Sequence, residues 1–250
     1  MFMPSPTLAR RFCLAFVFAA PFAAMAASLG ISPVRVELSP AAPTATLTLR
    51  NAGDEPTVVQ VRAVAWSQNG GEDVYEPTNE VIISPPIFTV AGNSAQVVRL
   101  GLRRAPDPRR ELSYRIYLQE VPGPPQPGVT GLQLALRIGV PVFVKPVQPA
   151  KPELSWRIGR ETGGALRVAA TNPGEMHVQL IGIKLLGAGA APGAPPLASQ
   201  ESGGYLLPGQ SREWRIEPPQ PGLPADATRL RVLASTDAGE LSAEVTLDPP

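Results

Sequence analysis

The chain has 250 residues and a formal net charge of +1, and 44% of its residues are hydrophobic despite 31 prolines and 23 glycines. This composition can build the cores of two ordinary domains and excludes a disordered chain. The near-neutral charge gives no electrostatic surface for nucleic acid or for an anionic membrane. We therefore expect a folded protein without nucleic-acid partners.

The N-terminus has the features of an export signal. Arg10 and Arg11 precede a short apolar run that contains Pro21, and small residues follow in "AAMAAS". We expect a cleaved signal peptide over residues 1–27 rather than a membrane anchor. No later run reaches the about 18 apolar residues of a membrane-spanning helix, so we expect no membrane insertion. Loss of both arginines would change the net charge from +1 to −1.

The single cysteine, Cys13, lies inside this predicted signal. The mature chain would therefore contain no disulfide. An exported chain without disulfides fits a periplasm, where large cores can replace covalent cross-links.

Short alternating segments separated by polar turns follow the signal. We predict about seven strands over some 120 residues, and no amphipathic helix interrupts them: "ISPVRVEL", "ATLTLRN", "TVVQVRAVAW", "VIISPPIFTV", "AQVVRLGL", "ELSYRIYLQEV" and "GLQLALRIGVPVFVKP". The turn "SQNGGED" follows the third segment, and Pro85 and Pro86 break the fourth. This pattern is typical of an antiparallel sandwich of immunoglobulin type.

A proline-rich stretch, "KPVQPAKPEL", predicts a stiff linker that would hold a second domain at an angle. Six further strand candidates follow it: "ELSWRIG", "ALRVAATN", "MHVQLIGIKLL", "QSREWRI", "TRLRVLAST" and "ELSAEVTL". We interpret "GAGAAPGAPPLASQESGG" as a surface loop. The predicted domains are 28–147 and 148–250, so the predicted fold is all-β with two immunoglobulin-like sandwiches in tandem.

The sequence has no motif for catalysis or for a cofactor. It contains one histidine, His177, which we interpret as a surface or packing residue, and no Cys/His cluster has metal-ligand spacing. There is no phosphate-binding glycine loop and no nucleophile elbow. We therefore expect no enzyme activity, no cofactor and no metal.

Two arginines in the predicted strands have two possible interpretations. Arg35 follows Pro33 and Val34, and Arg115 lies in "LSYRIYL". Each can be an outward-facing strand residue, which is the more common case. Alternatively, each can bind a carboxylate in a cleft, since paired arginine–carboxylate contacts are strong and directional. Tyr114 and Tyr117 can belong to a core or a cleft, and we assign Trp66 to a core.

The segment "GLQLALRIGVPVFVKP" has the period of a strand. Its larger side chains are Leu132, Leu134, Leu136 and Ile138, and smaller or polar residues alternate with them. A loop rich in proline and glycine, "VPGPPQPGVTG", precedes it. The alternation leaves open whether this apolar face fills the chain's own core or binds a partner.

At this point the sequence resembles the periplasmic chaperones of the chaperone–usher pilus pathway. Five segments occur in the family's order, most strongly in the first domain: "PVRVELSP", "LTLRNAGDEP", "SPPIFTVAGNSAQVVRL", "ELSYRIYLQEVP" and "GLQLALRIGVPVFVKP". The phrases "RNAGDEP", "WSQNGGED" and "SPPIF" are similar to the branch that serves spore-coat-U-like or archaic fimbrial subunits. The short loop before the last segment resembles the short-loop class of these chaperones.

The resemblance implies that the last strand of the first domain completes an unfinished sandwich in a pilus subunit. The donated residues would be Leu132, Leu134, Leu136 and Ile138, in the mode of partner recognition called β-augmentation. The implied partners are pilus or fimbrial subunits and an outer-membrane usher. An exposed apolar edge strand also aggregates readily, so the free chaperone is expected to self-associate at this edge.

The family also uses a basic pair between its domains to bind the subunit's C-terminal carboxylate. Arg35 matches the first member, whereas the position of the family's lysine is Pro141 here. Arg115 and Arg137 are the candidate replacements, and we prefer Arg115. Two other classes of protein stay open: an exported structural or adhesive β-protein, such as a fimbrial subunit, and a carbohydrate-active enzyme on a sandwich scaffold.

Overall fold

The computed structural model describes residues 29–123, 134–161, 163–191, 193–217, 223 and 227–248. The predicted signal peptide, Cys13 and Leu132 lie outside these residues. All regular structure in the described part is β-strand, as the sequence predicts. The described residues include no helix long and apolar enough to span a membrane.

The first ten strands form two sheets that pack face to face. One sheet has the strand order β1 (Leu29–Ser32), β3 (Thr44–Asn51), β8 (Ser94–Leu102) and β6 (Val81–Ser84). The other has the order β2 (Val36–Leu38), β10 (Arg137–Val144), β9 (Leu112–Glu120), β4 (Thr57–Asn69) and β5 (Glu72–Pro77), and β7 (Ile87–Val90) pairs with β4. Their inward side chains form one core that includes Leu47, Leu49, Val98, Ile116 and Val142.

The first predicted strand is divided between the two sheets, which corrects "ISPVRVEL" as one element. Residues of β1 pair with β3, whereas β2 pairs with β10. Pro33 lies between the two strands and has no N–H for a strand ladder. The chain therefore changes sheets here. This change places Arg35 immediately before β2, the short strand that borders β10.

The turn "SQNGGED" is shorter than predicted. The strand β4 continues to Asn69, and β5 returns beside it after a turn in which Gly70 and Gly71 have positive φ. Glycine accepts this backbone conformation without the steric cost of a side chain. The prolines of "VIISPPIFTV" do separate β6 from β7, as the sequence predicts.

The remaining strands form one connected set of seven. Its order is β14 (Ala198–Leu206), β13 (Val178–Gly187), β16 (Arg229–Thr236), β17 (Gly239–Asp248), β11 (Ser155–Arg160), β12 (Leu166–Thr171) and β15 (Ser211–Ile216). The strand β14 corrects the prediction of a loop through "LASQESGG". Its apolar residues reach the second core through Ala198 and Leu206.

An aromatic cluster joins the two sandwiches. Trp66 and Phe143 of the first sandwich pack with Leu207 of the second, against the rings of Tyr75 and Tyr205. Trp66 is therefore buried as predicted, but between the sandwiches rather than inside one of them. Trp66 and Phe143 lie on the outward face of the β2–β10–β9–β4 sheet. We call the space beside this face the cleft.

Candidate functional site

The strand β10 is paired along its whole length on one side only. Its residues from Arg137 to Val144 pair antiparallel with β9. On its other side, β2 pairs with it only from Val142 to Val144. Within the described residues, no strand borders this second side from Arg137 to Pro141. We call this five-residue segment the open edge.

The backbone direction shows which groups the open edge presents. The Leu136 carbonyl accepts the N–H of Glu120 on β9, so even-numbered residues bond toward β9. Successive strand residues point their backbone groups to opposite sides. The N–H groups of Arg137 and Gly139 therefore face outward, whereas Pro141 has none. Lys145 confirms the alternation, since its N–H donates to the carbonyl of Leu38, the last residue of β2.

The even-numbered side chains change gradually from buried to exposed along this strand. Val140 and Val142 are buried in the first core, and Ile138 packs against it at intermediate exposure. Leu136 is 37% exposed and Leu134 is 80% exposed. The predicted alternation therefore serves two environments, because its second half fills the chain's own core. Leu134 and Leu136 precede β10, which begins at Arg137, so the described strand begins later than the segment predicted from the sequence.

The structure brings Arg35, Pro141 and Arg115 side by side. Pro141 pairs with Arg115 on β9, and Arg35 comes directly before Val36, the partner of Val142. Their even-numbered neighbours face the core, so all three face the cleft. Since neighbouring strands lie about 4.8 Å apart, the backbones of the two arginines are about 10 Å apart, with Pro141 between them.

Arg35 is held by carboxylates of the chain itself. Its Nη1 donates to Oδ2 of Asp237 at 2.5 Å, and its Nη2 lies 3.5 Å from Oε1 of Glu37. Burial lowers the pKa of Arg35, but the hydrogen bond and the charge of Asp237 outweigh it and raise this pKa. Asp237 lies between β16 and β17, so this ion pair links the two sandwiches.

Arg115 lies against aromatic rings instead of carboxylates. Its guanidinium carbon is 4.6 Å from the ring centre of Trp66 and 5.2 Å from that of Tyr75. Its Nε is buried and has no hydrogen-bond partner among the described residues. A buried donor without an acceptor costs free energy, so Arg115 can bind an incoming carboxylate oxygen at a net gain.

The phenol of Tyr205, in the second sandwich, is influenced by the charges of both arginines. Burial raises the pKa of the Tyr205 phenol, while the positive charges of Arg35 and Arg115 both lower it. The net effect is a raised pKa, so the phenol stays neutral. The cleft at this point therefore holds two cations beside a neutral hydroxyl.

Arg137 lies away from this pair. It is at the opposite end of the open edge, four residues or about 13 Å along β10 from Pro141. Its guanidinium carbon lies 3.8 Å from the ring centre of Tyr117. Its side chain therefore lies on a different ring from those that Arg115 contacts.

Two polar contacts were not predicted from the sequence. His177 is the packing residue of the two predicted interpretations: its Nδ1 lies 2.6 Å from Oε1 of Glu111, which also accepts the His177 backbone N–H, and its ring stacks on Phe143. Glu111 belongs to the first sandwich and His177 to the second. Only the pairing of distant segments creates this contact, so the local sequence has no signal for it.

Asp73 is an exposed residue at the start of β5, and its carboxylate is held by three hydrogen bonds. It accepts hydrogen bonds from the indole of Trp66 at 3.0 Å, the amide of Gln68 at 2.9 Å and the hydroxyl of Tyr75 at 2.9 Å. Burial raises the pKa of Asp73, but these three bonds outweigh it and lower this pKa. The network fixes the rings on which Arg115 lies. Among the described residues, no group of three or more acidic, histidine or cysteine side chains could hold a metal ion.

Comparisons with known proteins give one class, that of pilus-assembly chaperones. Residues 28–150 match the family model described as the pili and flagellar-assembly chaperone, PapD N-terminal domain. The chaperone protein FimB/FhaD of Bordetella pertussis is 27% identical over 187 residues, which cover 68% of this chain and 75% of that protein.

Solved structures establish the fold. The CsuC–CsuE chaperone–tip adhesion subunit pre-assembly complex from archaic chaperone-usher Csu pili of Acinetobacter baumannii includes a chain with a TM-score of 0.64 and 20% identity, covering 89% of this chain and 100% of that chain. The Escherichia coli chaperone DraB has a TM-score of 0.59 and 23% identity, with 88% and 97% covered. The similarity therefore extends over both sandwiches.

These findings define an assembly chaperone built from two immunoglobulin-like sandwiches. Residues 28–150 belong to the PapD-like family of pilus-assembly chaperones. The family and the tandem sandwich fold predicted from the sequence are therefore confirmed.

Proposed function

We propose that this chaperone acts in the periplasm, where it captures pilus subunits by donating the open edge of β10. The observation that carries the proposal is the contrast along this strand. Its second half is closed by β2 and buried, whereas its first half is open on one side and follows two exposed leucines. A strand with these features is suited to complete another protein's sheet.

The donated groups are of two kinds. The N–H groups of Arg137 and Gly139 and the neighbouring carbonyls would pair with a subunit strand. Leu134 and Leu136 would enter the subunit's unfilled groove, with Leu132 expected to extend the same row. Burying each leucine contributes about 2 kcal/mol. Ile138 already packs on the chaperone's own core, so we assign it to the boundary between the two cores.

The arginine pair beside Pro141 would bind the subunit's C-terminal carboxylate. Arg115 supplies a buried donor without a partner, and Arg35 supplies a guanidinium on the other side of Pro141. The side chain of Arg115 takes the part that the family gives to a lysine on the donor strand itself. Arg35 must share or exchange its contact with Asp237 when the carboxylate arrives.

The remaining steps follow from the family. We propose that the chaperone uses no cofactor and catalyses no reaction, and that it delivers each subunit to an outer-membrane usher. Release would occur when the next subunit's strand replaces the chaperone's strand in the groove. We propose that the chaperone belongs to the archaic or spore-coat-U-associated branch of this family. Without a subunit, two chaperones would associate through their open edges, because the unpaired backbone groups of an apolar edge strand readily pair with another strand.

The test is co-expression in a periplasm with the pilus subunit encoded nearest to the chaperone, followed by purification on a chaperone tag. The wild-type chain should yield a stable one-to-one complex. The variant Leu134→Asp/Leu136→Asp should lose the subunit, since two carboxylates cannot enter an apolar groove without a large desolvation cost.

The matched control is Ile82→Asp/Val97→Asp, which places two carboxylates at exposed apolar positions of the other sheet. It should retain the subunit. Equal loss in both variants, or full retention in the leucine variant, would contradict strand donation at β10.

A further inference from the structure

We propose a second recognition site beside the open edge, formed by Arg62, Tyr117 and Arg137, for an acidic side chain of the captured subunit strand. This inference rests on the proposed function, because it needs a strand at the open edge. It concerns side-chain recognition along that strand, at the end of the open edge opposite the Arg35–Arg115 pair. We call the three residues the basic strip.

Two guanidinium groups converge on one ring in the basic strip. The guanidinium carbon of Arg137 lies 3.8 Å from the Tyr117 ring centre, and that of Arg62 lies 6.0 Å from it. They come from β10 and β4, on opposite sides of β9, so the convergence is a property of the folded sheet. Each guanidinium is attracted to the face of an aromatic ring, which can hold it in place.

Gly139 allows this ring to lie next to the open edge. Gly139 is the β10 partner of Tyr117. A Cβ built on Gly139 would lie 3.2 Å from Cε1 of Tyr117 and 3.3 Å from Cδ of Arg115. A side chain at position 139 would therefore crowd both of them, so glycine leaves room for the Tyr117 ring and the stem of Arg115 beside the open edge.

The basic strip lacks a counter-charge. Neither Arg62 nor Arg137 has a carboxylate within 4 Å among the described residues, in contrast to Arg35. The carboxylate of Glu120 accepts the backbone N–H of Leu136 and so holds the start of β10. Two like charges near one ring repel each other, and an anion placed between them removes that cost.

The position of the strip matches the side chains of an added strand. A strand paired with the open edge would direct alternate side chains to the cleft face, beside Arg137 and Gly139. Directly opposed residues on neighbouring strands have Cβ atoms about 5 Å apart. A glutamate or aspartate there can reach the Arg137 guanidinium, whereas the leucine face on the other side excludes charge. We therefore infer that subunits of this chaperone carry an acidic residue at this point of the paired strand.

The test compares Arg62→Gln/Arg137→Gln with the wild-type chain in binding the neighbouring subunit at several salt concentrations. We expect about tenfold weaker binding and a smaller salt dependence, since the charge-assisted contact with Arg137 and the nearby positive charge of Arg62 are both lost. Arg50→Gln is the matched control, because Arg50 is exposed on the other sheet and has no carboxylate within 4 Å in the described part. In the subunit, the acidic residues of the paired strand are replaced by their amides one at a time. One of these replacements should weaken binding as much as the chaperone variant does. That loss should not add to the chaperone variant's loss.

The outcomes separate this inference from the proposed function. Binding by the wild type and by Arg62→Gln/Arg137→Gln at equal strength, with loss in Leu134→Asp/Leu136→Asp, would overturn the basic strip alone. Equal binding by the leucine variant would overturn strand donation and the basic strip with it. Full additivity between chaperone and subunit substitutions would also overturn the strip.

Discussion

The two halves of β10 share one alternation but have different surroundings. From Val142 to Val144 the strand has neighbours on both sides and its side chains are buried. From Arg137 to Pro141 it has a neighbour on one side only, and the leucines before it are exposed. The period of a sequence therefore determines which side chains share a face. Whether that face becomes core or interface depends on whether a neighbouring strand covers it.

The boundary between the two halves coincides with Pro141 and the arginine pair. Pro141 has no N–H to offer at the point where the open edge ends. Arg35 and Arg115 stand on either side of it on the cleft face. A strand entering along the open edge would thus end its pairing beside two cations, which suits a chain terminus with a free carboxylate.

The largest effect is expected from removing either cation. Arg115→Ala should weaken subunit capture by about 2–5 kcal/mol, because the subunit's carboxylate would be left unpaired in the cleft. Arg35→Ala should have an effect of the same order. The measurement is the subunit yield in co-purification, with the melting temperature of each free variant as the check on folding.

Arg115→Lys provides the informative control for that prediction. It keeps a positive charge but loses the planar fork, so capture should recover in part. If Arg115→Ala binds the subunit as well as the wild type, the carboxylate is bound elsewhere and the arginine pair has no role in capture.

A second comparison separates stability from capture along the strand. Val142→Ala should lower the free energy of unfolding by about 2 kcal/mol, since it leaves a cavity in a closed core. Leu136→Ala should change it by less than about 0.5 kcal/mol, while it weakens capture. Urea titration of both variants measures the difference. Equal destabilisation would mean that Leu136 belongs to the chaperone's own core.

The smallest effect concerns the internal partner of Arg35. Asp237→Asn keeps the shape of the side chain but removes the carboxylate that occupies Arg35 in the free protein. Capture should become about threefold tighter, because an exposed ion pair is worth about 0.2–1 kcal/mol. Asp248→Asn is the control, since Asp248 belongs to a separate exposed ion pair with Arg157. Weaker capture by Asp237→Asn would show that Asp237 positions Arg35 instead of competing for it.

Much of this arrangement could be predicted from local sequence pattern. The alternation correctly places Ile138 on the core face with Val140, whereas Leu134 and Leu136 precede β10 and their donation stays a prediction. The prolines at 85 and 86 correctly separate two strands. These features depend only on neighbouring residues, so periodicity and turn chemistry are sufficient to find them.

Other features depend on contacts between distant segments. The strand β5 contains two acidic residues and ends at a proline, and it is held by its pairing with β4 and by Tyr75 against Trp66. The pairs Arg35–Asp237 and Glu111–His177 join residues of different sandwiches. Nothing in the sequence marks Gly139. Its importance follows from the side chains of Tyr117 and Arg115 on β9, which lie too close to it for a larger residue. No periodicity within one segment could predict these contacts.

The central claim is that the open edge of β10 is donated to a subunit, and amide hydrogen exchange tests it most directly. The free chaperone, at a concentration where it is monomeric, is compared with its purified subunit complex. We predict that the amides of Arg137 and Gly139 exchange rapidly in the free protein and become strongly protected in the complex, whereas Phe143 is protected in both. Unchanged exchange at Arg137 and Gly139 in a stable complex would contradict the account.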